Sequence, residues 1–337
     1  MKLRNLHIEN YKMFKDFDID FLDENDKPLD IVVLAGVNGS GKTSLLEYLI
    51  DNPNDIETTE IKENILDDGL FRHIAIRHNE NQMKSNFVYF FSGIDDTKKV
   101  ADEFVKTFYF FLKEKDYRPS EVKEHFDNYM QEIFNGLDLT FKYSHLDRDD
   151  NVWFSNENGE QFEIKDLSTG EKTLLSKVMY LYFLDYKDKV ILIDEPELSL
   201  HPSWQNKVLK IYENFAKQNN CQIIIATHSP HIIGSAKPEY LRVLKKVNKK
   251  IEVVKYTQSY GLEFNKILTD IMGAETRVSS VSKRLLAIKK LIINNEFESE
   301  GFKTLWQELE DLIGADNIDL RLLKLEIASR KKNVSNK

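Results

Sequence analysis

Residues 36–43 have the sequence Gly-Val-Asn-Gly-Ser-Gly-Lys-Thr, and this stretch is the strongest indication of the fold. The apolar run Ile31 to Ala35 precedes it, and apolar residues at helical spacing follow it. A strand, a glycine-rich loop and a helix in this order predict a phosphate-binding loop, because glycines allow tight turns that bring backbone amides and the positive end of the helix close to an anion. Lys42 is expected to contact the β- and γ-phosphates of a nucleotide, and Thr43 to ligate Mg²⁺. The residues predicted to bind the nucleotide in this loop are Gly36, Asn38, Gly39, Ser40, Gly41, Lys42, Thr43 and Ser44.

A second stretch, Val190 to Pro196, has the sequence Val-Ile-Leu-Ile-Asp-Glu-Pro. Four aliphatic residues in a row predict a short strand that is buried on both faces. The strand ends in two adjacent acids, which buried strands rarely do without a cation nearby. Asp194 is therefore predicted to hold Mg²⁺ through its water shell, and Glu195 to orient the water that attacks the γ-phosphate. Together with the glycine-rich loop, this stretch predicts hydrolysis of ATP, with ATP and Mg²⁺ as the cofactors.

A third stretch, Leu167 to Glu171, has the sequence Leu-Ser-Thr-Gly-Glu and precedes a periodic apolar segment. Ser168 and Glu171 have the spacing of a capping box at a helix start. A capped helix start beside Gly170 also leaves amides and the positive dipole end free to bind an anion that belongs to another molecule. The two interpretations are compatible. Ser168, Gly170 and Glu171 are predicted to bind the nucleotide of a second subunit.

The order of these motifs resembles the ATP-binding-cassette ATPases of the SMC, recombination-repair and OLD-like branch, which are AAA-family ATPases. The matching stretches are the glycine-rich loop, Leu-Ser-Thr-Gly-Glu, Asp-Glu-Pro, Glu197 to Pro202 and Thr227-His228-Ser229. The resemblance implies an α/β fold: a P-loop ABC-ATPase head with a mostly parallel core sheet, an N-terminal antiparallel β lobe, a helical insertion and a C-terminal helical hairpin.

The same resemblance implies roles for single residues. Glu195 would be the catalytic base, and Ser168 and Gly170 the signature motif that acts in trans within an ATP-bound homodimer. Leu198 to His201 would be the loop that crosses the dimer interface, although a histidine before Pro202 can also simply cap a helix. Lys42, Glu195 and His228 are the predicted catalytic set, with His228 as the switch histidine that contacts the γ-phosphate; without the resemblance, His228 is a lone histidine at a strand end.

Gln82 is the candidate for the family's metal-contacting glutamine, so the predicted metal ligands are Thr43, Asp194 and Gln82. Gln82 lies in the polar run Asn79 to Gln82, however, and a glutamine in an exposed loop is the alternative.

Composition limits the class of protein. The chain has 337 residues, 41% of them hydrophobic, a net charge of −9 and a single cysteine, Cys221. These values predict a soluble cytoplasmic protein without an intrachain disulfide or a membrane span. The predicted organisation is an N-terminal ATPase lobe at 1–55, a helical insertion at 56–136, a second ATPase lobe at 137–260 and a helical region at 261–337. The insertion lacks a long heptad array, which excludes the extended coiled coil of true SMC proteins.

The acidic net charge argues against a uniformly basic nucleic-acid binder, although basic residues concentrate late in the chain. They lie on a predicted hairpin and on a later predicted helix, and they are Arg242, Lys245, Lys246, Lys249, Lys250, Lys255, Lys283, Arg284, Lys289 and Lys290. A solvated surface is one interpretation, and contact with a nucleic-acid backbone is the other.

Three functional classes compete at this stage. The first is the ATPase of a prokaryotic anti-phage defence system, similar to Septu-type or retron-associated ATPases, which forms an ATP-sandwich homodimer or a larger oligomer and controls a separate nuclease or toxin. The second is a DNA repair or recombination ATPase of the RecF or SMC type. The third, a transporter ATPase subunit, is disfavoured because no membrane-domain feature accompanies the motifs.

Overall fold

The computed structural model describes residues 2–52, 56–58, 87–91, 97–134, 141–183, 187–198, 200–274 and 278–335. The chain divides into two compact units, Met1–Met272 and Gly273–Lys337. No helix in the described ranges is both long enough and apolar enough to cross a bilayer.

The strands of the described chain are β1 (Leu3–Tyr11), β2 (Phe14–Asp20), β3 (Ile31–Ala35), β4 (Ile56–Thr58), β5 (Phe87–Phe91), β6 (Phe141–Leu146), β7 (Val152–Asn156), β8 (Gln161–Glu163), β9 (Val190–Asp194), β10 (Gln222–Thr227), β11 (Leu241–Val247) and β12 (Lys250–Val254). Its helices are α1 (Lys42–Asp51), α2 (Thr97–Lys113), α3 (Pro119–Ile133), α4 (Thr169–Phe183), α5 (Pro202–Gln218), α6 (Pro230–Ser235), α7 (Phe264–Lys266), α8 (Ser279–Ile293), α9 (Glu300–Ile313) and α10 (Ile318–Ser335).

The central sheet of the first unit has the strand order β12-β11-β3-β10-β9-β5. All neighbouring pairs are parallel except β11 and β12, which form an antiparallel hairpin. Every residue of β3, β9 and β10 is buried, as the continuous aliphatic runs predict for strands covered on both faces. Asp194 pairs with Ala226, and Thr227 pairs with Ala35. The carboxyl ends of these three strands therefore lie side by side, which is where ligands bind in parallel α/β sheets.

Two smaller antiparallel sheets flank this core. One has the order β2-β1-β4, and the other is the meander β6-β7-β8. An aromatic cluster joins α2 and α3 to the meander: the Phe104 ring lies 5.3 Å from that of Phe126 and 5.8 Å from that of Phe154. The predicted α/β fold, with a mostly parallel core sheet, N-terminal antiparallel strands and C-terminal helices, is confirmed.

The second unit consists of α8, α9 and α10 and has its own apolar core, which includes Ile288, Leu309 and Leu320. Gly314 caps the end of α9 with φ 83, a left-handed conformation that glycine adopts without strain. Helix α9 therefore ends at this glycine.

Arg242 corrects the prediction of a basic surface on the β11–β12 hairpin. Its side chain is 1% exposed and donates hydrogen bonds to the backbone carbonyl of Asp20 (2.8 Å), the Asp20 carboxylate (2.7 Å) and the carbonyl of Leu22 (2.7 Å). Burial alone would raise the pKa of Asp20, but hydrogen bonds from Lys255 and Arg242 outweigh that effect and lower this pKa. Arg242 is a structural ion-pair partner rather than a surface contact, because its buried guanidinium pairs with the half-buried carboxylate of Asp20 on β2.

Candidate functional site

The glycine-rich loop connects β3 to α1 and has backbone geometry that most side chains would prevent. Gly39 and Gly41 have φ values of 77 and 99. A Cβ at position 41 would lie 2.8 Å from both Met13 Sδ and Phe14 Cζ, whereas one at position 39 would meet nothing within 4 Å. The loop therefore requires glycine at 41 for space as well as for conformation.

Lys42 is folded back over this loop. Its ammonium group donates hydrogen bonds to the carbonyls of Gly36 (2.9 Å) and Val37 (3.3 Å), and the residue is 6% exposed. Burial lowers the pKa of Lys42, and the negative charges of Glu195, Asp194 and Glu197 oppose that effect. The side chain is thus a partly desolvated cation beside the acidic strand end, where a phosphate can replace the two carbonyls as its acceptor.

Two further observations fit a nucleotide with Mg²⁺. The Thr43 hydroxyl donates a 2.9 Å hydrogen bond to Asp194 Oδ2, which joins the start of α1 to the end of β9. A hydroxyl and a carboxylate are oxygen ligands of the kind that Mg²⁺ binds while it keeps several waters. The Ser40 hydroxyl is 3% exposed and has no hydrogen-bond partner within the described residues, so it is available to a phosphate oxygen. Thr43 and Asp194 would hold the metal ion.

Glu195 and His228 form the second half of this site. His228 Nδ1 lies 3.1 Å from Glu195 Oε1, and both side chains are partly exposed. Glu195 has φ 48, a left-handed conformation that is uncommon for a residue other than glycine, and its amide donates a 2.8 Å hydrogen bond to the carbonyl of Ala226. This backbone turn directs the chain out of the sheet immediately after Asp194. The site can accordingly present a carboxylate and an imidazole together.

The predicted signature corner has the expected capping box. The Ser168 hydroxyl and amide donate to Glu171 Oε2 (2.6 and 2.9 Å), and the Glu171 amide donates to Ser168 Oγ (3.3 Å). Among the described residues, the side-chain hydrogen bonds of Ser168 go to Glu171 and not to the loop or the acids of its own chain. Ser168 is exposed and Gly170 is half-buried. The structure thus brings Lys42, Thr43, Asp194, Glu195 and His228 together, and no hydrogen bond in the described ranges joins the side chain of Ser168 to them.

The remaining predicted residues are Gln82 and the loop from Leu198 to His201. Gln82 and Ser199 lie outside the described residues, so the proposed metal-contacting glutamine stays a prediction. His201 caps α5, with its ring nitrogen accepting a 3.3 Å hydrogen bond from the Ser203 amide. The capping interpretation of His201 therefore suffices for this residue.

The sequence interpretation missed Glu197. Its carboxylate is 5% exposed and accepts hydrogen bonds from Thr227 Oγ1 (2.6 Å), the His228 amide (3.0 Å) and the Ser229 amide (3.1 Å). A third acid three residues after the Asp194 strand end was the available signal. The sequence pattern alone does not identify Glu197, because its hydrogen-bond donors lie about thirty residues further along the chain.

Two protein-family models match this chain. A family model described as "AAA ATPase domain" matches residues 1–118, and one described as "AAA domain, putative AbiEii toxin, Type IV TA system" matches residues 102–234. Residues 1–118 and 102–234 are thus each similar to an AAA-type ATPase family. The two matches overlap in the insertion, and together they include the loop, the signature corner, the acidic strand end and His228.

Individual proteins similar to this chain include a retron ATPase and a Septu protein. The "Retron Ec83 probable ATPase" of Escherichia coli is 29% identical over 188 residues, which are 52% of this chain and 34% of that protein. The "Septu protein PtuA" of Bacillus thuringiensis is 29% identical over 220 residues, 58% of this chain and 54% of that protein. The matched regions span about a third and about half of these two relatives' lengths.

Among solved structures, an SMC head crystallised with the C-winged helix domain of ScpA has a TM-score of 0.50 and 14% identity. The match covers 76% of this chain and 98% of that one, and at this identity it supports the fold alone.

Proposed function

We propose that this chain is an AAA-type ATPase that hydrolyses ATP in the cytoplasm, with Mg²⁺ as the metal. The observation that carries the proposal is the convergence of five side chains at the carboxyl ends of β3, β9 and β10. Lys42 supplies a buried cation, the Thr43–Asp194 pair supplies oxygen ligands, and the Glu195–His228 pair supplies a base with a polar partner.

The chain's own residues would divide the work of phosphoryl transfer. Mg²⁺, when bound, neutralises charge on the phosphate oxygens. Lys42 and the loop amides bind the β- and γ-phosphates and fix their position. Glu195 orients the attacking water and accepts its proton, while His228, 3.1 Å away, holds the Glu195 carboxylate in place.

We also propose that the working site is composite. The Ser168–Gly170 corner begins α4, and the side-chain hydrogen bonds of Ser168 stay within its capping box and do not reach the loop of the same chain. An exposed helix start of this kind suits a γ-phosphate bound by a second copy, because the positive end of the helix dipole favours an anion. Two copies would then close around two ATP molecules, and hydrolysis would loosen the dimer.

A mixing experiment tests the composite site. Ser168→Arg blocks the corner and leaves the loop and acids intact, whereas Glu195→Gln does the reverse. Each variant alone is expected to be inactive, but a mixture forms heterodimers in which one of the two sites has every intact group, so phosphate release returns. If the mixture remains as inactive as its components, the site is not shared between copies. A mixture of Glu195→Gln with Lys42→Ala is the matched control, because both defects lie in the same half-site and no heterodimer has a complete site.

The biological role we propose is control of a separate effector, a nuclease or toxin, in prokaryotic anti-phage defence. The support is similarity to proteins named as a Septu component and a retron ATPase. Cells that express the chain with the products of its neighbouring genes should restrict phage plaques, and Lys42→Ala should abolish restriction at equal protein level. Equal restriction by this variant would disconnect the ATPase site from defence.

One observation favours nucleic-acid contact as a second candidate function. A cavity of about 370 Å³ beside Gly39 is lined by Met13, Lys15, Gly39, Lys246, Lys249, Lys250 and Ile251. Lys250 lies 3.6 Å from Asp16, so this lysine is partly compensated. Lysines grouped at a concave surface are suited to phosphodiester groups.

DNA affinity measured against salt concentration tests this candidate. Lys246→Glu with Lys249→Glu should weaken binding and reduce the salt slope by about 2, since each phosphate contact contributes about 0.9 to that slope. Lys142→Glu, an exposed charge reversal on the meander, is the matched control. Unchanged affinity and slope in the double variant would exclude the cavity as the binding surface.

A further inference from the structure

Glu197 occupies an unusual position two residues beyond Glu195. Its Oε1 atom accepts three hydrogen bonds from consecutive residues after β10: from Thr227 Oγ1, from the His228 amide and from the Ser229 amide. Thr227 and Ser229 are 0% and 4% exposed, so the interaction is almost fully removed from water. A buried carboxylate is costly unless it accepts hydrogen bonds, and here Oε1 accepts three from the turn that carries His228, while the buried Oε2 has no partner among the described residues.

Gln205 on α5 makes a second connection to the same turn. Its Nε2 donates to the carbonyl of Leu200 (2.9 Å), and its Oε1 accepts from the Ser229 hydroxyl (2.6 Å). Ser229 Oγ in turn accepts from the amides of His231 and Ile232 and caps α6. Gln205 thus joins the segment after Glu197 to the segment after His228.

We propose that Glu197 and Gln205 are positioning residues for His228. The inference deepens the proposed ATPase function and rests on it. His228 Nδ1 lies 3.1 Å from Glu195 Oε1 and 3.6 Å from Glu197 Oε1, so the imidazole is placed between the proposed base and the residue that fixes its backbone. Glu197 holds residues 227–229 from the β9 side, and Gln205 holds them from the α5 side.

The connection has a consequence for coupling between copies. Leu198 to His201 is the segment that the family resemblance places at the dimer interface. Gln205 contacts this segment at the carbonyl of Leu200, and it contacts the His228 turn at Ser229. A displacement of the interface segment would therefore be transmitted to His228 through one side chain, without passage through the nucleotide.

Substitution of each residue by a side chain of similar size tests the proposal. Glu197→Gln removes the charge that strengthens three hydrogen bonds, and Gln205→Leu removes the hydrogen bonds of Gln205 to Ser229 and to the carbonyls of Leu200 and Glu197. Each variant should lower kcat for ATP hydrolysis about 10- to 100-fold, because displacement of an aligned group by about 1 Å can cost 100-fold. KM for ATP should change less than about threefold, since the loop that binds the phosphates is untouched.

A double-mutant cycle with His228→Ala separates positioning from general damage. If Glu197 acts through His228, Glu197→Gln should have almost no further effect on kcat once the imidazole is absent. The matched control is Glu213→Gln, which removes another buried glutamate, one that accepts a hydrogen bond from the Tyr240 hydroxyl (2.8 Å) away from this turn. Its kcat should equal that of the wild type.

Different results of these measurements would overturn the positioning role and the ATPase function separately. Equal losses from Glu197→Gln in the presence and absence of His228, or a wild-type kcat in both positioning variants, would overturn the inference while leaving the ATPase function intact. Absence of turnover in the wild type would instead overturn the proposed function. Should Glu197→Gln fail to fold, the same cycle with Gln205→Leu decides the question, because Gln205 carries no charge and its removal leaves no buried ion.

Discussion

Glu195→Gln is the substitution that separates binding of ATP from its hydrolysis in this protein. Glutamine has the same shape and keeps an oxygen that can accept the His228 hydrogen bond, now 3.1 Å long. The amide cannot accept a proton from water at neutral pH. The variant therefore removes the proposed base and leaves the loop, Lys42 and the Thr43–Asp194 pair in place.

The size of the effect follows from the exposure and contacts of this side chain. A positioned general base contributes about 100- to 10,000-fold to a rate, so kcat should fall by a factor in that range. The Glu195 side chain is 30% exposed and makes one side-chain hydrogen bond, to a group that glutamine can still bind. The free energy of unfolding should consequently change by less than about 1 kcal/mol.

Three measurements on one preparation test this reasoning. Phosphate release gives kcat, titration with a fluorescent ATP analogue gives affinity, and light scattering after chromatography gives the molar mass with ATP. The variant should bind the analogue with wild-type affinity and accumulate as a dimer. A wild-type kcat in Glu195→Gln would refute the assignment of the base, and a loss of nucleotide affinity equal to the loss of kcat would show that the side chain binds rather than catalyses.

Other expected outcomes follow from single features of the structure. Gly41→Ala should abolish nucleotide binding and cost about 1–3 kcal/mol more in unfolding free energy than Gly39→Ala, because only the first places a Cβ against neighbouring atoms; equal costs in chemical denaturation would contradict this. Arg242→Leu should lower the unfolding free energy by about 1–3 kcal/mol, since the carbonyls of Asp20 and Leu22 lose their buried donor whereas the Asp20 carboxylate keeps the hydrogen bond from Lys255. The pKa of Asp20 is lower in the folded protein than in the unfolded chain, so the ionised carboxyl stabilises the fold above its unfolded pKa. This stabilisation is lost as the pH falls through the folded pKa. The melting temperature should therefore decline less steeply below about pH 4 in Asp20→Asn than in the wild type. Truncation after Gly273 should leave ATP hydrolysis measurable and abolish capture of the effector in a pull-down, and retained capture would place the docking surface in the first unit.

Local patterns were sufficient to predict the sheet and the centre of the site. The aliphatic runs of β3, β9 and β10 identify buried parallel strands, and the residues that matter most follow directly after those runs. Thr43 and Asp194 are 151 positions apart, yet each is adjacent to a strong local signal, so their meeting at 2.9 Å was predictable from parallel strand geometry.

The parts that escaped prediction depend on partners that no local pattern contains. Arg242 has the sequence surroundings of an exposed hairpin residue, and only the approach of β2, 222 positions away, makes it a buried ion pair. Glu197 resembles one more acid in an acidic turn, and only the tertiary structure shows that one of its oxygens accepts three hydrogen bonds from residues at and just after the end of β10. In both cases the side chain is charged, and tertiary contacts decide whether that charge faces water or protein.

The strand order of the central sheet has a consequence for synthesis of the protein. β3, which carries the glycine-rich loop, pairs with β10 and β11, and both are made long after it. A ribosome that adds about 5–20 residues per second needs about 10–40 s to proceed from the end of β3 to the end of β11. Throughout that interval β3 lacks its neighbours β10 and β11, so its aliphatic residues can be bound by chaperones. ATP can stabilise the nascent protein only after most of the chain has emerged.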